Sequence, residues 1–348
     1  VSAEIPAFRP HPWFRGGHAQ TLASFFLPRR IQLPTPEERL VEVASGMHPS
    51  ETQGSETQAA IKLRCLCYWQ GQRRAALTLI VVHGLEGSTD SQYMRGVARD
   101  GLDAGMNVVL MNQRNCGGMD AAAPTLYNSS LSGDVAAVAR SIVEHDGVEN
   151  DGVSRFALVG FSMGGNLVLK LAGEWGREAP PQFRTVVAVC PSMDLAASAD
   201  ALHEPSNRLY EYYFLLQLFR RFRRKAKLFP ADFDASRLKG ISSLREFDDR
   251  ITAFYCGFTG ADDYYARAAA SNVVDRIAVP ALIVHAANDP FIRLRAETRQ
   301  RIQANPNITF IETSDGGHCA FVGKRNGHGG DDGRWAERTA VEFAKRFA

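Results

Sequence analysis

What the 348-residue chain lacks narrows its identity first. It has 6 cysteines and no Cys-x-x-Cys pair, so the spacing encodes neither a disulfide framework nor a zinc module. Cys65 and Cys67, two apart in "KLRCLCYW", would share one face of a strand and read as buried small hydrophobes. No metal and no cofactor is expected, and a reducing, cytoplasmic compartment is. No apolar run approaches the roughly 18 residues of a membrane span. The opening "VSAEIPAFRPHPWF" has no basic stretch followed by an apolar one, so no signal peptide is expected. An excess of one charge is also missing: 40 basic residues face 38 acidic ones, which argues against a nucleic-acid partner. No internal repeat is visible.

What is present is a regular alternation. After an irregular arm of about 60 residues, with candidate strands in "LVEVAS" and "AAIKLRCLCYWQ", the chain reads strand, helix, strand, helix. The strands are short, nearly continuous apolar runs: "ALTLIVVHG", "MNVVLMNQRN", "RFALVGFS", "RTVVAVCP", "VPALIVHAAND" and "NITFIETS". The helices between them carry apolar residues at helical spacing, as in "YMRGVARDGLDAG". This pattern predicts an α/β fold with a mostly parallel sheet covered on both faces. One stretch breaks the rhythm. Residues 195–275 hold a long aromatic and basic helix and no strand pattern, which predicts a helical lid. The expected organisation is a core at 1–194, a lid at 195–275 and a second core segment at 276–348.

"LVGFSMGG" contains Gly-x-Ser-x-Gly, as Gly160, Ser162 and Gly164, between a predicted strand and a predicted helix. That context gives the motif meaning: a sharp turn exposes the serine, and glycines let strand and helix approach. Serine is a weak nucleophile until a base takes its proton. In folds built on this elbow, the order along the chain is serine, acid, histidine. His11, His18, His48, His83 and His145 precede Ser162 and are excluded by that order. His203 falls in the lid and His285 inside a strand. His318, just after the last strand in "SDGGHCAF", is the preferred base over His328 in a Gly-rich loop. Asp289, which closes the strand before it, is the preferred acid over Asp194 and Asp315. The oxyanion donors are expected at the amides of Met163 and Leu85, with Gly84 permitting the turn and His83 bracing it. The tripeptide Gly-Gly-His occurs twice, at His18 and at His318. His18 reads as a structural or pocket-rim residue.

Taken together, "HGLEGS", "GFSMGGN", "EFDDRITAFYCGF" with "DYY", "GGH" and the N-terminal "GGHAQT" resemble the YheT-like branch of the α/β-hydrolases, related to plant embryogenesis-associated proteins. The resemblance spans nearly the whole chain. It implies an α/β-hydrolase fold, serine esterase activity on short- to medium-chain acyl esters, and a triad at Ser162, Asp289 and His318. The alternatives are an acyltransferase passing the acyl group to an alcohol, and a non-catalytic binding protein on the same fold. The chain departs from the branch at Asn115, where many members have glycine, and at Asn128, where many have histidine. The basic run at 220–227 reads as the solvated face of the lid helix, with Phe219 and Phe222 inward; peripheral contact with anionic lipid is the sharper expectation.

Overall fold

The computed structural model describes residues 5–44, 61–144, 152–325 and 332–348. Helix α1 (Gly17–Phe26) precedes strands β1 (Glu37–Val43) and β2 (Ile61–Tyr68). The alternation then runs β3 (Thr78–Val82), α2 (Gln92–Asp103), β4 (Asn107–Met111), α3 (Ser132–Glu144), β5 (Phe156–Phe161), α4 (Met163–Trp175) and β6 (Phe183–Val189). A helical stretch follows: α5 (Leu195–Leu202), α6 (Arg208–Leu228), α7 (Leu244–Phe247), a π-helical turn (Asp248–Ala253), α8 (Phe254–Cys256) and α9 (Ala261–Ala268). The chain closes with β7 (Ala281–Ala286), α10 (Ala296–Ala304), β8 (Ile308–Thr313) and α11 (Trp335–Lys345).

The strands form one sheet in the order β1-β2-β4-β3-β5-β6-β7-β8. β2 runs antiparallel to β1 and β4, and every pairing from β4 to β8 is parallel. The apolar runs are explained by burial on both faces. In β3, Ile80 and Val82 pack with α3 and α4, whereas Leu79 and Val81 pack with α2 and α11. Successive side chains thus serve opposite layers. All four are fully buried, and each such burial stabilises the fold by roughly 1.5–3 kcal/mol.

Register aligns the carboxyl ends of the central strands. Val82 sits opposite Gly160, Phe161 opposite Val189, Val189 opposite Val284 and Ala286 opposite Thr313. The residues that follow these ends include Gly84, Ser162, Cys190, Asp289 and His318. They therefore emerge along one edge of the sheet, although they are far apart in sequence.

The helices between β6 and β7 have a core of their own, built by Leu202, Leu215, Leu218, Phe222, Phe233 and Phe247. Leu215, Leu218 and Phe222 recur at helical spacing along α6 and bury one stripe of it. The basic run on α6 divides: Arg220, Arg223 and Lys227 are exposed, as a solvated face requires, whereas Arg221 and Lys225 turn inward. Arg221 pairs with Glu86 at 2.9 Å, and Arg224 pairs with Asp120 at 2.9 Å. Lys225 is buried, with Nζ donating to Asn115 Oδ1 at 2.8 Å and to the Asp120 carbonyl at 2.7 Å. Asn115 itself sits at φ 61°, a left-handed conformation that asparagine tolerates better than most residues. A glycine would fit that backbone but would give Lys225 no amide oxygen.

Candidate active site

The turn from β5 into α4 holds Ser162 at φ 54° and ψ −119°. Side-chain-bearing residues rarely occupy this region, so the surroundings must hold it there. Its N–H donates to the Val189 carbonyl at 2.9 Å, and its own carbonyl accepts from Asn166 and Ser192. The flanking glycines are obligatory. A Cβ on Gly160 would lie 2.3 Å from the Gly164 carbonyl oxygen, and one on Gly164 would lie 2.3 Å from the Val82 carbonyl oxygen.

Ser162 Oγ lies 3.0 Å from Nε2 of His318, whose Nδ1 lies 2.8 Å from Asp289 Oδ2. With Nδ1–H donating to the carboxylate, the Nε2 lone pair faces the serine hydroxyl. The other Asp289 oxygen accepts the amides of Phe291 at 3.1 Å and Ile292 at 2.9 Å. Burial works to raise the Asp289 carboxyl, but His318 and the Ile292 amide outweigh it and hold it below its ordinary value. Burial works to lower His318, but Cys319 and Asp289 outweigh it and hold the imidazole well above its ordinary value.

The loop after β3 approaches from the other side. The Gly84 amide donates to the Tyr93 hydroxyl at 2.9 Å and the Glu86 amide to the Tyr127 hydroxyl at 3.0 Å. The Leu85 amide between them has no acceptor among the described residues. Met163 opens α4, so its amide has no carbonyl one turn back. One of these N–H groups lies in the loop after β3 and the other on the residue that follows the serine. Buried His83 accepts the Gln113 amide at Nε2, 3.1 Å away, and its Nδ1 lies 2.8 Å from the Gly84 carbonyl. Burial lowers its pKa to about 4, so it is a neutral brace. Gly84 is a close approach: a Cβ there would lie 3.0 Å from Ser162 Cβ.

The competing residues are committed elsewhere. Asp194 accepts the Arg295 amide at 2.8 Å and the Thr298 hydroxyl at 2.9 Å, at the start of α10. Asp315 accepts the Gly16 amide at 3.1 Å and Asn288 Nδ2 at 2.7 Å. His285 is buried in β7, and His203 Nδ1 lies 2.9 Å from Glu211 Oε2. His328 lies outside the described residues.

Three features of the site have no signature in the sequence. First, the two Gly-Gly-His tripeptides meet. A Cβ on Gly317 would lie 2.5 Å from the Gly17 carbonyl oxygen, and the His318 amide donates to Thr21 Oγ1 at 2.9 Å. His18 itself stacks on Tyr210 of α6 at 5.7 Å between ring centroids, at the mouth of a cavity. Second, Glu86 accepts both Arg221 of α6 at 2.9 Å and the Tyr127 hydroxyl at 2.6 Å, tying the inserted helices to the loop that carries Leu85. Third, Cys190, after β6, comes to the back of Cys319, whose amide lies 3.4 Å from Cys190 Sγ. Burial works to raise the Cys319 thiol, but a hydrogen bond from Cys190 and the charge of His318 lower it to about 6.

Two cavities reach Ser162. One, of about 110 Å³, runs beneath the inserted helices between Met163, Leu195, Leu218 and Phe247. The other, of about 870 Å³, is lined by His318, Phe25, Leu209 and Tyr213.

Residues 78–324 match the family of the α/β-hydrolase fold, and the chain belongs to that family. Within it the chain falls in the YheT-like branch. It is 28% identical over 325 residues to the putative esterase YheT of Escherichia coli, covering 91% of this chain and 87% of that protein. It is 25% identical over 316 residues to the human phospholipase ABHD3, covering 90% of this chain and 73% of that protein. The esterase Pf2001 of Pyrococcus furiosus superposes with a TM-score of 0.56 at 17% identity, over 92% of this chain and 98% of that one. At that identity the likeness is one of fold. No described helix is long and apolar enough to cross a membrane.

Proposed function

We propose that the protein is a serine carboxylic-ester hydrolase that works through an acyl-enzyme on short- to medium-chain acyl esters. The observation that carries this reading is the unbroken hydrogen-bonded line from Ser162 through His318 to Asp289, beside two unengaged amides. Ser162 Oγ attacks the acyl carbonyl while His318 Nε2 takes its proton. The amides of Leu85 and Met163 receive the oxyanion, each contributing about 2.7–4 kcal/mol to the transition state. Asp289 orients the imidazole and stabilises its charged form. His318 then protonates the leaving alkoxide and activates water against the acyl-enzyme. The inserted helices act as a lid over the smaller, apolar cavity, which takes the acyl chain. The names of two relatives, the putative esterase YheT and the phospholipase ABHD3, agree with ester cleavage.

Labelling with a fluorophosphonate probe tests the serine. Wild type is expected to take up one equivalent and Ser162→Ala none; equal labelling of both refutes Ser162 as the nucleophile, and no label on wild type refutes the reading and favours a non-catalytic binding protein. A p-nitrophenyl ester series from acetate to palmitate then measures acyl length. One observation favours a second reading, acyl transfer: both cavities meet at Ser162, so an alcohol can enter the larger while the acyl group stays in the smaller. Product partition between acid and new ester at rising alcohol decides between them.

A further inference from the structure

Beside the proposed triad lie two thiols that the triad does not use, grouped with its histidine. Cys190 Sγ, Cys319 Sγ and a ring nitrogen of His318 all lie within 4.8 Å of one another. The Cys319 sulfur is 3.9 Å from His318 Nε2, the same nitrogen that faces Ser162. Three observations set this group apart from ordinary buried thiols. Its members come from two sheet-edge loops, one after β6 and one after β8, which the register brings together. Both cysteines sit at positive φ, 43° and 55°, in backbone that side-chain-bearing residues rarely adopt. Cys319 and His318 also line the large cavity, which gives a small cation a path from solvent.

The distances suit one kind of ion. Tetrahedral zinc, with Zn–S of about 2.3 Å and Zn–N of about 2.0–2.1 Å, sets sulfur and nitrogen roughly 3.6 Å apart and two sulfurs roughly 3.8 Å apart. The Cys319–His318 separation is already within a few tenths of an ångström of that. Two thiolates and an imidazole select a soft or borderline cation over magnesium or calcium.

We propose that Cys190, Cys319 and His318 form an inhibitory site for a soft divalent cation, with Zn²⁺ as the type ion. The cation takes the Nε2 lone pair that would otherwise receive the Ser162 proton. The two thiols release their protons to solvent as the Zn–S bonds form, and a water completes the shell from the cavity. Nothing is oxidised, so removing the ion restores the free imidazole. The binding stands on geometry alone; the inhibition rests on the proposed role of His318.

The test uses the full chain with thiols kept reduced by a phosphine. Co²⁺ is titrated first as a spectroscopic probe. Wild type is expected to bind one Co²⁺ per chain with sulfur-to-cobalt charge-transfer absorption in the near ultraviolet. Cys319→Ala and Cys190→Ala, checked for folding by circular dichroism, are each expected to lose that band. No band in wild type, or a band unchanged in Cys319→Ala, overturns the site whether or not the protein hydrolyses esters. Zn²⁺ is then titrated against turnover of a short p-nitrophenyl ester, normalised to each variant's own rate. Wild type is expected to lose at least 90% of its rate and recover it with EDTA. Cys319→Ala should need at least ten times more Zn²⁺, and Mg²⁺ should have no effect on either. Equal Zn²⁺ sensitivity of wild type and Cys319→Ala overturns the inhibitory role even where the cobalt band is present.

Discussion

At the scale of single residues, the site depends on what is missing from a side chain as much as on what is there. Gly84 has no side chain, and an added methyl would press on Ser162 Cβ at 3.0 Å. Gly84→Ala is therefore expected to fold and to lose at least tenfold in kcat, read from ester turnover beside an unchanged melting curve. Asp248, in the π-helical turn that reaches the smaller cavity, is a different case. Its oxygens accept the Thr252 and Tyr265 hydroxyls at 2.7 Å each. Burial is the largest influence on it and raises its pKa from 3.8 to about 6. Between those two values the folded protein holds a proton that the unfolded chain has released, so stability falls as pH rises through the window. Asp248→Asn removes the penalty. Its melting temperature relative to wild type should rise from pH 4 to pH 6 and stay level above, and a difference independent of pH would contradict the assignment.

At the scale of elements, two helices from outside the sheet hold the loops that matter. α1 does so through Thr21, whose hydroxyl accepts the His318 amide at 2.9 Å and donates to the Gly17 carbonyl at 2.7 Å. Thr21→Val keeps the shape and orphans the amide, a loss of about 1–3 kcal/mol that thermal melts should register. α6 does so through Arg221 and Glu86, whose side chains are only 18% and 8% exposed. Arg221→Ala leaves the Glu86 carboxylate without its cation, and Glu86→Ala leaves Arg221 only the more distant Asp120 at 3.7 Å. In a double-mutant cycle the two are expected to couple by about 0.5–3 kcal/mol, and strict additivity would show that the pair is incidental. These links explain why part of the site was legible in the sequence and part was not. The strand–turn–helix around Ser162 and the strand ends at Asp289 and His318 announce themselves through local periodicity. The contact of Glu86 with Arg221 spans 135 positions, and no spacing rule points to it. Cys190 is likewise an unremarked residue after a strand until the parallel register sets it behind Cys319. The basic run on α6 was legible only in part: Arg220, Arg223 and Lys227 are exposed as its pattern implies, whereas the partners of Arg221 and Arg224, Glu86 and Asp120, lie in distant loops.

At the scale of the whole molecule, the two ends of the chain are joined. Gln20 exchanges hydrogen bonds with Val322, accepting its amide at 2.7 Å and donating to its carbonyl at 3.1 Å. Arg29 bridges Asp332 at 2.6 Å and Glu337 at 2.8 Å. Glu337 is buried, and that burial raises its pKa to about 7 even with Arg29 beside it, so losing Arg29 would strand a carboxyl in the core. Removing residues 1–30 is expected to lower the melting temperature by several degrees and to abolish ester turnover, whereas Ser162 and its glycines remain in place. Scanning calorimetry beside the ester assay checks both halves.

The meeting of the two Gly-Gly-His segments also sets an order of events. Synthesis delivers the bracing helix before the strained serine, and His318 156 positions after that serine. A chain arrested before residue 318 carries a serine elbow with no base to activate it. The contact of Thr21 with the His318 amide closes a loop of 297 positions, so its closure entropy is large. Under the proposed mechanism, reactivity is thus withheld until the segment around Gly17 and the segment around His318 meet.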